Sequence, residues 1–443
     1  MRTPTSLLLV LAAAAALLAT AAPAGAASSW SATQGFTAGG PRDIEPIPRA
    51  AIASDGTSAL AFETRSDALM LATGKANGTF GSPRLIARSG ARDHSIAAAR
   101  GGAFLLAWES ADGLHAAVRT RAGRAIVRRL YPGGPDSEIN GVQVAADPHG
   151  GWVIARRVFA LHGSAENRVY GVRALSLDRA GRLLGPVQDL GPGQFGIDAR
   201  PTQALAVGAD GRAVLAFRRE VPPLSSAPRP VVVTTRPHGG VFAAPIAVPV
   251  ANAVEPRVAV DGAGHAIVAF TRVSRCGDVG CFGAPAAVNV LADGSTSPPA
   301  GPVLDFPGRA FAPSVAYTGV GAAIVFQLKS KSAAFSTEAP VMAVTLNADG
   351  TVGGLQTLTN RLAGEPVAMP ISRGRVLAVW EGSRGLGAAL AVNGVFAKTA
   401  EPKGPPPSTG HSNSTNRDLR TAGRYAIFAW ARAGRVRVAV RAF

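Results

Sequence analysis

A short apolar run ending in an aromatic residue recurs along this chain and constrains its fold more than any other feature. The instances are Ala59-Leu-Ala-Phe62, Leu105-Leu-Ala-Trp108, Val214-Leu-Ala-Phe217, Ile267-Val-Ala-Phe270, Ala323-Ile-Val-Phe326, Leu377-Ala-Val-Trp380 and Ile427-Phe-Ala-Trp430. An eighth run, Trp152-Val-Ile-Ala-Arg156, puts arginine where the aromatic belongs. The anchors are separated by 46, 48, 61, 53, 56, 54 and 50 residues. A four-stranded propeller blade takes about 40 to 50 residues plus insertions, so the period suits a blade and is too long for a β-helix coil.

Each unit reads alike. An innermost strand comes first, such as Glu255–Val260, followed by a tight turn: Ser54-Asp55-Gly56, Asp147 to Gly151, Ala209-Asp210-Gly211 or Asp261 to Gly264. Asp and Gly suit such turns, because Asp bonds its own backbone and Gly accepts positive φ. The apolar second strand follows, then a third strand often ending in Asp-Gly or Asn-Gly, as at Asn77-Gly78, Asp293-Gly294, Asp349-Gly350 and Asn393-Gly394. Those dipeptides favour two-residue hairpins. A more polar fourth strand closes the unit.

The chain ends complete the pattern. The thirteen residues after Trp430 and the thirty-five between residue 27 and Phe62 together make 48, one repeat. The last unit lacks a fourth strand, and Ser29–Phe36 can supply it. A ring closed in this way leaves no unpaired edge at its seam. The expected fold is therefore all-β, a propeller of about eight four-stranded blades, or seven if the unit around Arg156 is not a blade. Residues 28–443 form a single domain in this reading, with the strand over 28–38 completing the last blade. The unit resembles that of many secreted bacterial propellers. Its turns are similar to the Asp-box of sialidase-like propellers, Ser-x-Asp-x-Gly-x-x-Trp. No turn here carries Trp at that spacing and no Phe-Arg-Ile-Pro motif occurs, so the resemblance names no specific family.

Residues 1–27 read as a signal peptide: Arg2, an apolar run from Leu7 to Leu18, and Ala24-Gly25-Ala26 before the cleavage point. No later segment reads as transmembrane. The expected location is secreted, extracellular or cell-surface associated. In an exported chain the close pair Cys276 and Cys281 reads as a disulfide loop. A two-thiolate metal site would need further ligands, and His265 is the one histidine nearby. No cofactor motif and no metal site are expected.

The formal net charge is +17, and the excess is almost all arginine. Arginine in place of lysine, with abundant Ala and Gly, is the composition of a GC-rich bacterial genome. Such charge attracts anionic partners outside the cell: an envelope polymer, a polysaccharide or a protein. Nucleic acid is disfavoured, because aromatics are few and no basic stripe interleaves them.

Function in a propeller is expected on the face where second-to-third-strand loops and the leading ends of the innermost strands surround the channel mouth. Those loops are long in the four middle units (Phe159 to Asn167, Glu220 to Arg229, Ser274 to Ala284, Ser330 to Pro340) and short elsewhere. Polar residues expected at the mouth are Arg49, Asp93, His94, Asn140, Arg200, Glu255, Arg257, Ser314, Glu365, Arg417 and Asp418. Arg49, Arg200 and Arg257 could converge on an anion. Alternatively they pair with Asp93, Glu255, Glu365 and Asp418 and satisfy the channel wall. The segment from Lys403 to Asn416 reads as a connector. No calcium loop, zinc pair, nucleophile elbow or phosphate loop occurs. The function read from these features is an exported binding or scaffold propeller with a glycan, envelope-polymer or protein ligand. Alternatives are a glycosidase or lyase, and a purely structural protein.

Overall fold

The apolar runs become the second strands of eight blades, apolar on both sides because each is covered twice. The computed structural model describes residues 29–38, 47–64, 66–88, 90–120, 123, 125–132, 141–161, 168–193, 203–219, 230–277, 280–301, 308–317, 321–330, 339–347, 349, 351–372, 374–382, 385–402, 417–432 and 434–443. The expected signal peptide, Asn140, Arg200 and the 403–416 connector lie outside the described residues.

The chain starts with β1 (Gln34–Thr37) and then builds the blades in order. Blade 1 is β2 (Arg49–Ile52), β3 (Ser58–Glu63), β4 (Leu69–Gly74) and β5 (Arg84–Ala87). Blade 2 is β6 (Arg92–Ala98), β7 (Phe104–Ser110), β8 (Gly113–Arg119) and β9 (Ala125–Pro132). Blade 3 is β10 (Gln143–Asp147), β11 (Gly151–Leu161), β12 (Arg168–Leu177) and β13 (Gln188–Gly193). Blade 4 is β14 (Gln203–Val207), β15 (Ala213–Arg218), β16 (Val231–Arg236) and β17 (Ile246–Ala247). Blade 5 has β18 (Ala253–Val260), β19 (Ala266–Gly277) and β20 (Gly280–Val290), with the bridges Val290–Thr296 and Ala287–Ala300 at its outer edge. Blade 6 is β21 (Gly308–Tyr317), β22 (Gly321–Ser330), β23 (Ala339–Asn347) and β24 (Val352–Ala363). Blade 7 is β25 (Val367–Ser372), β26 (Arg375–Gly382), β27 (Gly385–Val392) and β28 (Val395–Lys398), and blade 8 begins with β29 (Arg417–Ala422), β30 (Tyr425–Arg432) and β31 (Arg435–Ala442). The unit around Arg156 is a full blade, so the count is eight. No helix among the described residues is long and apolar enough to cross a membrane.

The expected closure is present. β1 pairs antiparallel with β31, setting Gln34 opposite Val438 and Phe36 opposite Val436, so the last blade is built from both chain ends. The innermost strands follow one another around the ring, and β29 packs back against β2.

Eight hydrophobic clusters fill the eight spaces between blades. Strand alternation explains the repeat at atomic level. The anchor aromatic faces the preceding blade, and the small residue before it faces the following one. Trp108 thus packs on Ala59 and Ala61 of blade 1, and Trp430 on Leu377 and Val379 of blade 7. The turns work as the sequence predicts. Asp55 Oδ1 accepts from the Thr57 amide at 2.9 Å, and Asp210, Asp261 and Asp293 make the same bond two residues on.

A repeated feature of the outer strands is absent from the sequence reading. Gln34 of β1 grips Phe80 in blade 1, donating to its carbonyl at 2.9 Å and accepting from its amide at 2.8 Å. Gln188 of β13 holds Phe242 in blade 4 in the same two-bonded way. Gln356 of β24 spans the Gly394 carbonyl and the Phe396 amide of blade 7. Each clasp fixes the outer edges of adjacent blades, and the first lies on the seam.

Two of the long middle loops are partly regular structure. β11 and β12 stay paired out to Leu161 and Arg168, and β19 and β20 out to Gly277 and Gly280. The second hairpin sets Cys276 opposite Cys281 in register.

Candidate functional site

The residues expected at the channel mouth stand where the innermost strands begin, and those whose contacts are resolved mainly join blades. Asp93 adopts φ 38° and Glu255 φ 57°, conformations uncommon for non-glycine residues. Both sit at register shifts, between Arg92 and His94 in β6 and between Val254 and Arg257 in β18. Such bulges re-aim side chains at the ends of strands. The Asp93 carboxylate is aimed at blade 3, where it accepts from the amides of Gly141 and Val142. Asp418 of blade 8 accepts from the Ala50 amide of blade 1 at 2.9 Å, across the seam. The Ser314 hydroxyl of blade 6 accepts from the Ala368 amide of blade 7 at 2.8 Å. Arg49 and Arg257 donate to the carbonyls of Pro48 and Pro256. Glu365, half-buried, lies in the short link between β24 and β25.

His94 and Arg417 have partners that the sequence reading did not suggest. They come from the residue after the anchor aromatic, which alternation turns toward the next blade. Glu63 Oε1 meets His94 Nδ1 at 2.9 Å, Glu109 Oε1 meets Arg156 Nη1 at 3.1 Å, and Glu381 Oε2 meets Arg417 Nη1 at 3.0 Å. The last two pairs are buried on both sides. The signal was in the sequence as Phe62-Glu63, Trp108-Glu109 and Trp380-Glu381.

Arg156 shows how a blade works without its aromatic. Its guanidinium lies 4.8 Å from the Tyr131 ring centroid, on the face where the other anchors put a ring. Arg173 also lies over that ring and donates to the Tyr131 hydroxyl at 3.0 Å. Burial pushes the Glu109 carboxyl up to about 7; Arg156 pulls it down and Asp93 adds a smaller upward push. Burial likewise lowers the Arg156 guanidinium, against the pull of Glu109. A carboxyl so tuned could exchange a proton near neutral pH, but it is sealed between blades 2 and 3.

An open site lies elsewhere. A cleft of about 400 Å³ runs between β24 of blade 6 and β26–β28 of blade 7, at the end of the blades that faces the loops. Trp380 lies in it with Phe396, beside Thr357, Thr359, Arg361 and Lys398. Three glycines, Gly382, Gly385 and Gly387, keep the blade 7 wall low. Gly387 is directly opposite Trp380 in the ladder, and a Cβ there would collide with the indole Nε1. Trp380 is accordingly 7% exposed, against 3% or less for the other six aromatic anchors. Sequence reading placed Trp380 as an anchor only, because the effect of Gly387 appears once the register is known.

No protein-family model and no curated protein sequence matches this chain. Among solved structures it is similar to a protein of unknown function from Dyadobacter fermentans, at 11% identity over 70% of this chain and 96% of that one, TM-score 0.42. It is also similar to a puromycin hydrolase, at 14% identity over 87% of this chain and 58% of that one, TM-score 0.49. An ulvan lyase shares 10% identity over 84% of this chain and 96% of that one, TM-score 0.48.

Proposed function

We propose that this chain is an exported, non-catalytic binding propeller that holds an envelope polymer or extracellular polysaccharide at the rim of its loop face. The observation that carries this reading is the cleft around Trp380. Ligand sites combine an apolar floor with a few convergent polar groups, and here Trp380 and Phe396 line the cleft together with Thr357, Thr359, Arg361 and Lys398. A sugar ring offers an apolar C–H face to an aromatic floor and hydroxyls to such a rim. Two further observations favour binding over glycoside hydrolysis. A glycosidase sets two carboxyl groups about the scissile bond, whereas Glu401 is the single carboxylate among the described lining residues and pairs with Lys398 at 3.4 Å. Asp93, Glu109, Glu381 and Asp418 are engaged between blades.

Co-sedimentation of the mature protein with insoluble envelope and with polysaccharides, at low and high salt, tests the proposal. Trp380→Ala should weaken retention at least about tenfold, the scale of losing one buried aromatic contact; because the indole also packs in the core between blades 6 and 7, the melting temperature should fall by about 4–6 °C, and retention is compared well below it. Equal retention of the variant and wild type would remove the cleft from the function. Cleavage of the polymer during the assay would favour the enzyme reading.

A further inference from the structure

The groove on the other side of blade 7 carries three arginines at its outer part, besides the Arg417–Glu381 pair. In blade 8 the register pairs Arg432 with Arg435 and Trp430 with Arg437. Directly opposed residues project from the same side of a sheet, and so do residues two apart on one strand. Arg432, Arg435 and Arg437 therefore share the side on which Phe428 and Trp430 pack against Leu377 and Val379 of blade 7. They stand at the loop-face end of the groove between blades 7 and 8.

Like charges are not normally gathered without a counter-charge. Among the described residues no carboxylate forms an ion pair with Arg435 or Arg437, and the buried Nε of Arg437 has no hydrogen-bond partner. Burial, Arg435 and Arg432 all lower the proton affinity of Arg437. The outer neighbour β1 sets Gly35 opposite Arg437, where an added Cβ would meet nothing nearer than the Val436 carbonyl at 4.0 Å.

We infer that Arg435 and Arg437 form a second subsite that takes the carboxylate or sulfate groups of an acidic polysaccharide lying across blade 7 from the Trp380 cleft. This rests on the reading of that cleft as a polymer site. Guanidinium groups grip such oxyanions through paired N–H donors. The barrier between the two grooves is the β26–β27 hairpin, whose strands stay paired out to Gly382 and Gly385. Facing sheets stack about 10 Å apart, so a few sugar units reach from one groove to the next. Arg361 and Lys398 at the cleft extend the same positive track.

Titration calorimetry of the mature protein with polygalacturonate, dextran sulfate, neutral dextran and duplex DNA, at low and high salt, tests this. The proteins compared are the wild type, Arg435→Gln/Arg437→Gln and Trp380→Ala. The arginine double variant should lose at least about tenfold in affinity for an acidic polymer, with a flatter salt dependence and unchanged binding of any neutral chain. Its melting temperature should hold or rise, because repulsion is removed; a fall would mean a structural role and would overturn the subsite. Polygalacturonate tells carboxylate recognition from the sulfate recognition reported by dextran sulfate. Wild-type affinity and salt slope in the double variant, with binding lost in Trp380→Ala, would end the subsite and leave the cleft. Undiminished binding in both variants, or no binding of any polymer, would end both. DNA binding tighter than any polysaccharide, and lost in the double variant, would overturn the ligand class.

Discussion

Replacing Arg156 by phenylalanine should be strongly destabilising, although it restores the residue type found at the other anchors. The substitution removes the cation 3.1 Å from Glu109 and leaves that carboxylate buried between blades 2 and 3. Breaking a buried pair from one side costs about 3–5 kcal/mol. For a domain of roughly 400 residues, an unfolding entropy of about 2.1 cal/mol/K per residue converts this to a melting temperature lower by about 4–6 °C. The deficit should depend on pH in a fixed direction. Burial already holds Glu109 up to about 7, above its unfolded value, with Arg156 present; without Arg156 it stands higher still. A raised carboxyl contributes stability that is full below its unfolded pKa and lost as pH rises through its folded pKa. The variant should therefore approach wild type near pH 5 and fall furthest below it at pH 8. Adding Glu109→Leu removes the stranded charge, and Glu109→Leu/Arg156→Phe should recover most of the loss or exceed wild type. Scanning calorimetry of the three variants at both pH values completes the cycle. A single variant as stable as wild type at pH 8, or a double variant no better than the single, would refute this account of blade 3.

Deleting residues 29–38 removes β1 and uncovers Phe62, Phe80 and Val438 at the seam; urea unfolding should lose cooperativity, and a truncated chain that melts like the full one would refute closure by the N-terminal strand. Gln34→Ala, which breaks only the clasp on Phe80, should cost about 1–3 kcal/mol with an unchanged denaturant slope. We propose a disulfide between Cys276 and Cys281, which the register sets opposite each other. Mass spectrometry should show the native protein lighter than the reduced one by two hydrogens, and reduction should cost about 2 kcal/mol for so short a loop; two free thiols in the native protein would exclude the bond.

The fold was legible because its information is local and repeated. A small residue beside a large one on a strand, as in Ala61-Phe62 or Ala107-Trp108, states which side is thin and which is thick, and eight such pairs, Ala155-Arg156 among them, close a ring. The seam was legible from length alone. The channel mouth was legible as a set of positions but not as a set of partners, because Glu63, Glu109 and Glu381 act across blades, 31, 47 and 36 residues from His94, Arg156 and Arg417. Arg156 suggested a defective blade; Tyr131 and Glu109 make it a complete one. The Trp380 cleft was hidden because it depends on what is missing opposite the indole, and Gly387 acquires meaning only through its register. The glutamine clasps left a trace, a Phe soon after a Gly turn in Gly78-Thr-Phe80, Gly240-Val-Phe242 and Gly394-Val-Phe396.

The shared last blade also bears on the order of assembly. Joining Gln34 to Val438 closes a loop of roughly 400 residues, an entropy cost of about 5 kcal/mol that the other blade interfaces, each linking neighbours in sequence, do not meet. A chain made from its N-terminus can stack blades 1 to 7 as they appear, while β1 waits for the final strand. Circular permutants opened between two other blades, with the present ends joined by a short linker, would keep every contact of blade 8 and move that wait elsewhere. Equilibrium stability should then be nearly indifferent to where the chain begins, whereas the identity of the last interface to form is set by that starting point.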